Sequence, residues 1–156
     1  MKQIEPFGPF ALAANVIPVA VPSPAGELSG LLTGPSAPAL VDGIPAISAA
    51  SSPDAAGENR ALLVPGYTGS KEDYAPVLPF LGDAGWDVLA YSQRGQGGSA
   101  APAGLGAYGM SDFVNDLIAV AEAWAGTSGR VHLVGHSFGG IVARAAVIAR
   151  PTSSHP

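Results

Sequence analysis

The sequence contains no cysteine, which excludes disulfide bonds, thiolate zinc sites, iron–sulfur clusters and a cysteine nucleophile. Charged residues make up only 12% of its 156 residues, whereas hydrophobic residues make up 47%. That balance is too apolar for a disordered chain and predicts one globular domain. No apolar run reaches the ~20 residues that a helix needs to span a bilayer, so we do not expect a membrane-spanning protein.

Positive charge is also scarce. Seven Lys and Arg stand against twelve Asp and Glu, giving a formal net charge of -5. Such a field repels phosphate backbones and anionic headgroups, and we therefore predict no nucleic-acid partner.

Near the N-terminus, Pro6, Pro9 and Pro18 interrupt the apolar stretch that a signal peptide requires. This favours a cytoplasmic location.

The first third of the chain predicts a hairpin followed by a loop. Within residues 1–33, the apolar segments 16–21 and 28–32 flank the turn signal Ser-Pro-Ala-Gly at 23–26, a pattern typical of a β-hairpin. Pro18 and Pro22 place its first strand at a sheet edge, because proline cannot donate to the ladder. Residues 34–59 are rich in Pro, Ala and Ser without periodicity, which predicts a flexible loop.

From residue 60 to residue 150 the pattern changes to short apolar runs that alternate with helix-period segments. Runs at 61–64, 86–91 and 131–134 are bounded by glycine or proline and predict strands. The alternation predicts an α/β fold with a mostly parallel sheet and flanking helices. Residues 151–156 are expected to form a tail.

Three helices are expected between and after these strands. The first is short, with Pro76 in its first turn, a buried stripe of Val77, Leu78 and Leu81, and Gly85 at its end. The second is capped by Ser111 or Asp112 and closed by Gly126. Its buried stripe repeats at helical spacing and consists of Phe113, Leu117, Val120 and Trp124. The third runs from Phe138 to Arg150, because Pro151 stops it.

A G-x-S-x-G motif at residues 135–139 stands directly between the last strand and the last helix. This strand-turn-helix context is the one that a nucleophile elbow requires. Gly135 and Gly139 leave room for neighbouring backbone in the tight turn, which would hold Ser137 at the carboxyl end of the strand. The N-terminus of the following helix points N–H groups at the same place and favours negative charge there.

Two further segments complete a pattern. Residues 63–69, Leu-Val-Pro-Gly-Tyr-Thr-Gly, form a glycine-bearing loop after the first strand, and residues 92–99 read Ser-Gln-Arg-Gly-Gln-Gly-Gly-Ser. Together with the elbow, they resemble the α/β-hydrolase family over residues 60–150. The first resembles that family's oxyanion loop, with Pro65 where histidine is common. The second is similar to its D-x-R-G-x-G-x-S segment, with Ser92 in place of the acid.

The resemblance implies a serine hydrolase that acts on carboxylic esters or related acyl compounds. Ser137 would be the nucleophile and would form an acyl-enzyme, while the backbone N–H groups of Tyr67 and Phe138 would form the oxyanion hole. The substrate would be a small acyl or ester molecule. The resemblance implies no cofactor, and we predict no metal site.

The acid and base of a catalytic triad are not evident. The family order places an acid and then a histidine after the serine, yet residues 138–156 contain no Asp or Glu and only His155. A helix over residues 138–150 would carry His155 about 20 Å from the serine. His132 is expected to pack and His136 to support the elbow. We therefore expect the amino-terminal part of a serine hydrolase, truncated after the elbow helix, that is inactive or nearly so.

Three expectations concern residues outside the elbow. Asp112 and Asp116 are interpreted as a helix cap and a solvated helix face, and Arg94 as a partly buried loop anchor rather than a ligand for a substrate carboxylate. The resemblance implies further strands beside residues 131–134, and without them this edge would be exposed and would favour self-association. The alternative to an enzyme is a non-catalytic remnant or interaction module of the same fold.

Overall fold

The computed structural model describes residues 11–38, 43–47, 59–126 and 130–150. The predicted tail at 151–156 and most of the predicted loop at 34–59 lie outside these residues. The strands are β1 (Val16–Ser23), β2 (Gly26–Thr33), β3 (Arg60–Val64), β4 (Asp87–Tyr91) and β5 (His132–Gly135). The helices are α1 (Leu78–Asp83), α2 (Met110–Ala125) and α3 (Phe138–Ala149), with short 3-10 helices at Lys71–Tyr74 and Leu105–Ala107.

The five strands form one sheet in the order β1-β2-β4-β3-β5. β3 pairs in parallel with both β4 and β5, whereas β1 with β2 and β2 with β4 are antiparallel. The predicted α/β fold with flanking helices is confirmed. The sheet is mixed, because the N-terminal hairpin joins it and both pairings of β2 are antiparallel. The tight turn of the hairpin requires this arrangement for β1 and β2.

The predicted hairpin and its edge position are confirmed. β1 carries Pro18 and Pro22 and lies at one end of the sheet. Its outer side is partly covered by residues 43–47, where the Ala20 N–H donates to the Pro45 carbonyl at 3.0 Å and the Ala20 carbonyl accepts the Ile47 N–H at 2.8 Å. Ile47 is buried there. This short part of the 34–59 segment therefore packs against the sheet.

Alternation along the strands divides the core into two layers, because successive side chains of a strand point to opposite faces. On β3, Leu62 and Val64 face the layer that contains α2 and α3, while Ala61 and Leu63 face the layer that contains α1. The predicted stripe of α2 is fully confirmed. All four of its members are buried in the first layer: Phe113, Leu117, Val120 and Trp124.

The structure differs from the sequence prediction at the start of α1, at the start of α2 and in the burial of Val77. α1 begins at Leu78, so Pro79 rather than Pro76 occupies the first turn, and Val77 is 42% exposed instead of buried. α2 is capped by Gly109, and Asp112 lies at its third position, where its carboxylate accepts the Gly109 N–H at 2.9 Å. The ends were better predicted, since Gly126 terminates α2 with φ 74°.

The opposite end of the sheet is open among the described residues. β5 pairs only with β3, and Val134 is 49% exposed. Apolar side chains of α3 beside it are also exposed, namely Ile141, Val147 and Ile148. The exposed edge expected from the sequence is present, whereas self-association through it stays a prediction.

No helix in the described parts of the chain is both long enough and apolar enough to cross a membrane.

Candidate active site

The turn between β5 and α3 has the strained geometry of a nucleophile elbow. Ser137 has φ 52° and ψ -120°, and no other non-glycine residue in the described segments has a positive φ. The Gly139 N–H bonds to the His136 carbonyl and the Gly140 N–H to the Ser137 carbonyl, both at 2.9 Å, so the helix begins immediately after the serine. The exposed Ser137 side chain is not used as a helix cap.

The two elbow glycines are required by close backbone contacts. A Cβ on Gly135 would lie 2.5 Å from the Gly139 carbonyl oxygen and from the Gly140 Cα. A Cβ on Gly139 would overlap the Val64 carbonyl oxygen and lie 2.5 Å from that of Pro65. Because these neighbours are main chain, no rotamer change could make room for a side chain. The elbow therefore packs directly against the end of β3.

The loop after β3 lies beside the serine, as the sequence predicted. A Cβ on Gly66 would be 3.5 Å from the Ser137 Cβ and 3.2 Å from the His136 Nδ1. The rings of Tyr67 and Phe138 meet edge to face with centroids 6.0 Å apart. Among the described residues, the backbone N–H groups of Tyr67 and Phe138 have no hydrogen-bond partner. These are the two donors expected for an oxyanion hole, and their role stays a prediction.

Two glutamine side chains from the loop after β4 donate hydrogen bonds to main-chain carbonyl groups of the loop after β3. Gln93 Nε2 donates to the Pro65 carbonyl at 2.9 Å, and Gln96 Nε2 donates to those of Gly66 and Tyr67 at 3.0 and 2.7 Å. The sequence reading gave neither glutamine a role. Their partners lie 28 to 30 residues away, and no local pattern indicates such long-range contacts.

Tyr74 and Ser92 also support the loops around the elbow. The Tyr74 hydroxyl donates to the Val64 carbonyl at 2.9 Å. Burial, and secondarily the charge of Asp73, raise the pKa of Tyr74, which keeps the hydroxyl a donor. Ser92 is fully buried, and its hydroxyl accepts the Lys71 N–H at 3.0 Å. At the position where the family has an acid, this chain therefore has a structural serine.

Arg94 anchors its loop through a buried ion pair. Its Nε and Nη2 donate to the two carboxylate oxygens of Asp116 at 2.7 and 2.9 Å. The hydrogen bond to Asp116 raises the pKa of Arg94. Asp116 is 1% exposed, so its interpretation as a solvated helix face was wrong. The signal was present in the sequence, because residue 116 falls on the same helical face as Phe113 and Val120.

These features agree with a comparison against known families. Residues 62–153, more than half of the chain, match the family described as the α/β-hydrolase fold. The chain belongs to the α/β-hydrolase fold family.

Individual relatives of this α/β-hydrolase chain are hydrolases by name. A protein of Variovorax paradoxus (strain S110), whose name describes it as a carbamate hydrolase, RutD, is 42% identical over 81 residues, which are 52% of this chain and 29% of the relative. Epoxide hydrolase A of Mycobacterium tuberculosis is 34% identical over 81 residues, 52% of this chain and 24% of the relative.

The fold of this chain also matches that of a solved structure. An epoxide hydrolase from an endophytic Streptomyces superposes with a TM-score of 0.66 at 27% identity, covering 89% of this chain and 35% of the other. The chain thus spans between 24% and 35% of the length of the relatives named here.

No acid or base of a triad lies at the elbow among the described residues. No hydrogen bond in these segments joins the Ser137 hydroxyl to a histidine or a carboxylate. His132 is exposed on β5 with its ring 5.3 Å from that of Trp86, and His136 lies against Gly66. His155 lies outside the described residues. In the same segments, no group of three or more His, Asp or Glu could hold a metal ion.

The strain at Ser137 leads to a testable difference in stability between two variants that lack the hydroxyl. Ser137→Gly and Ser137→Ala both remove the hydroxyl, but only glycine adopts φ 52° without a steric cost. Backbone strain of this kind costs about 1–3 kcal/mol, of which glycine's larger unfolded-state entropy offsets a part. We expect Ser137→Gly to be about 1 kcal/mol more stable than Ser137→Ala in urea unfolding. A Ser137→Gly variant that is less stable than Ser137→Ala by the ordinary cost of glycine, about 0.5–1 kcal/mol, would show that the turn stores no strain.

Proposed function

We propose that this chain provides the nucleophile and the oxyanion hole of a hydrolase that cleaves carboxylic esters or related acyl compounds. The supporting observation is Ser137, held at φ 52° beside Gly66, together with the N–H groups of Tyr67 and Phe138, which have no hydrogen-bond partner in the described part of the chain. The Ser137 hydroxyl oxygen attacks the acyl carbon, and the carbonyl oxygen takes negative charge between the two N–H groups. The alcohol leaves with the proton, and water then hydrolyses the acyl-enzyme.

The identity of the nucleophile favours acyl chemistry over epoxide opening. A serine that attacked an epoxide carbon would form a dialkyl ether, which water does not hydrolyse under mild conditions, so the enzyme would not be regenerated. A serine that attacks an ester or a carbamate forms an acyl- or carbamoyl-enzyme that water can hydrolyse. Although two of the relatives above are named epoxide hydrolases, Ser137 therefore points to acyl substrates.

Carbamates are the second substrate class, favoured by the 42% identical relative that is named as a carbamate hydrolase. The same two N–H groups would stabilise the oxyanion formed from a carbamate carbonyl. Esters and carbamates differ in the group attached to the carbonyl, and both leave a covalent adduct on the serine. A matched pair of an activated ester and an activated carbamate, compared by rate, distinguishes the two classes.

The rate of the isolated chain is expected to be low. A serine hydroxyl is a weak nucleophile without a base, and residues 138–156 supply no carboxylate. In serine hydrolases that lack a triad member, the oxyanion hole and substrate binding still leave a residual acceleration of roughly 10³–10⁴ over water. Because this residual acceleration does not require the serine, the signal that we expect to depend on Ser137 is formation of the acyl-enzyme rather than fast turnover.

A fluorophosphonate probe tests this proposal. Attack by Ser137 forms a P–O bond, breaks the P–F bond and releases fluoride, leaving a stable adduct. We expect labelling of the folded chain, its loss in Ser137→Ala, and its retention in Ser111→Ala, which removes an exposed serine from the first turn of α2. Labelling that survives Ser137→Ala, or no labelling of the folded chain, would favour a non-catalytic module instead.

A further inference from the structure

We propose that Gln96 is a positioning residue that orients the Tyr67 N–H toward the oxyanion, an inference that rests on the proposed function. The Gln96 amide is the only side-chain group in the described residues that bonds to both carbonyls flanking this N–H, those of Gly66 and Tyr67. Among the described residues, no hydrogen bond joins Gln96 to Ser137. It acts through the backbone of the oxyanion loop.

The orientation of the Gln96 amide is fixed by its three hydrogen bonds. The two N–H bonds of Nε2 point at the Gly66 and Tyr67 carbonyls, at 3.0 and 2.7 Å, and Oε1 accepts the Gln93 N–H at 3.2 Å. A rotated amide would place an oxygen against two carbonyl oxygens and a donor against an N–H. The side chain therefore has one arrangement that satisfies all of its polar atoms.

Planarity of the peptide bond transmits this contact to the oxyanion donor. In a trans peptide the C=O and N–H point in opposite directions within one plane. Since the Gly66 oxygen is held toward Gln96, the Tyr67 N–H of the same peptide must point away from it. Ser137 lies beside Gly66, within 3.5 Å of where a Cβ on this glycine would stand.

Gln93 fixes the preceding peptide in the same manner. Its side chain is 1% exposed, and its Nε2 holds the Pro65 carbonyl at 2.9 Å. Without Gln96, the Gly66 carbonyl would retain a single donor among the residues that the structure describes, the Gly69 N–H at 3.2 Å within its own turn. A glycine-bearing loop held so weakly could rotate its peptide, whereas an oxyanion donor must be oriented before the reaction begins.

Nuclear magnetic resonance tests the positioning without any chemistry. The substitution Gln96→Met keeps the length of the side chain and removes both donors. We expect the Gly66 carbonyl carbon to shift upfield and the Tyr67 N–H dipolar coupling to change. The matched control is Ser99→Ala, because Ser99 ties the same loop to Ser29 and Ser92 without contacting residues 65–67. An unchanged Tyr67 coupling in Gln96→Met, or an equal change in Ser99→Ala, would overturn the proposal.

A pair of phosphonofluoridate probes, one with P=O and one with P=S, tests the consequence for the reaction. N–H groups bond more weakly to sulfur than to oxygen. The labelling rate of the P=O probe divided by that of the P=S probe therefore measures the contribution of the N–H groups of the oxyanion hole. Removing an oxyanion donor typically costs 10²–10³ in rate, and we expect its misorientation in Gln96→Met to lower the ratio about tenfold. Partial unfolding slows both probes equally and leaves the ratio unchanged, as expected for Ser99→Ala.

The two readouts separate the failure of this inference from that of the proposed function. If the wild-type chain reacts with neither probe, the proposed function fails, and the Tyr67 coupling alone decides whether Gln96 positions the peptide. If the wild-type chain reacts and Gln96→Met keeps the same rate ratio, the role of Gln96 is overturned while the proposed function stands.

Discussion

We expect Gly139→Ala to lower the free energy of unfolding by about 3 kcal/mol or more, the upper end of the range for overpacking. The added Cβ would overlap the Val64 carbonyl oxygen and lie 2.5 Å from that of Pro65. The Val64 carbonyl cannot easily move, because it accepts hydrogen bonds from the Tyr74 hydroxyl at 2.9 Å and the His136 N–H at 3.0 Å. Relief of the overlap therefore separates α3 from the end of β3. Urea unfolding monitored by tryptophan fluorescence measures the loss.

The matched control is Gly106→Ala. Gly106 lies in a short 3-10 helix, has no positive φ, and a Cβ there would meet nothing within 4 Å. We expect its unfolding midpoint to stay within the range of ordinary surface substitutions, about 0.5 kcal/mol. Equal midpoints for Gly139→Ala and Gly106→Ala would contradict the close packing of the elbow against β3.

The second large effect is expected for Asp116→Ala. This substitution removes the carboxylate that Arg94 binds at 2.7 Å and one of the two acceptors of the Ala25 N–H, while Asp112 Oδ1 stays 3.6 Å from Arg94 Nη1. Breaking one partner of a buried pair costs about 3–5 kcal/mol, and we expect the lower end of this range because Asp112 compensates part of the remaining charge. We expect a fall of this size in the free energy of unfolding, and with it a loosening of the Gln93–Gln96 loop that Arg94 anchors.

Two further variants test whether the loss of stability in Asp116→Ala comes from the buried ion pair. Glu122→Ala removes the Arg150–Glu122 pair, whose side chains are 64% and 34% exposed, and should cost less than about 1 kcal/mol. The double variant Arg94→Met/Asp116→Leu should recover much of the stability that Asp116→Ala loses, because no buried charge remains. If Asp116→Ala costs no more than Glu122→Ala, the buried pair does not hold the loop.

Local patterns predicted the elbow well, because its determinants are adjacent in the sequence. A strand, a turn with glycines at both ends and an apolar helix follow one another within residues 131–150, and each carries its own signal. The stripe of α2 was predictable for the same reason. Edge placement of β1 followed from proline chemistry alone.

Long-range contacts were not predictable from local patterns. The hairpin's pairing with β4 made the sheet mixed, and no residue of the hairpin indicates that partner. Gln96 became significant only when folding brought it to the carbonyls of Gly66 and Tyr67. Asp116 was misread because its partner Arg94 lies 22 residues away, although its position on the buried face of α2 was a usable signal.

The structure connects these parts into one account of the site. The Arg94–Asp116 pair fixes the loop after β4, the glutamines of that loop hold the carbonyls of the loop after β3, and the elbow glycines seat Ser137 against it. Under the proposed function, these contacts would hold the two N–H groups in place before the reaction, as acyl transfer requires.

Mass spectrometry of the chain after brief reaction with p-nitrophenyl acetate and acid quenching tests this account most directly. The good leaving group permits acylation without a strong base, whereas deacylation has no such help, so the acetyl-enzyme should accumulate. We predict one acetyl group, localised to Ser137 by fragmentation and absent from Ser137→Ala. Acetylation of other residues at the same rate, or none on the folded chain, would contradict the claim that Ser137 is held as a nucleophile beside an oxyanion hole.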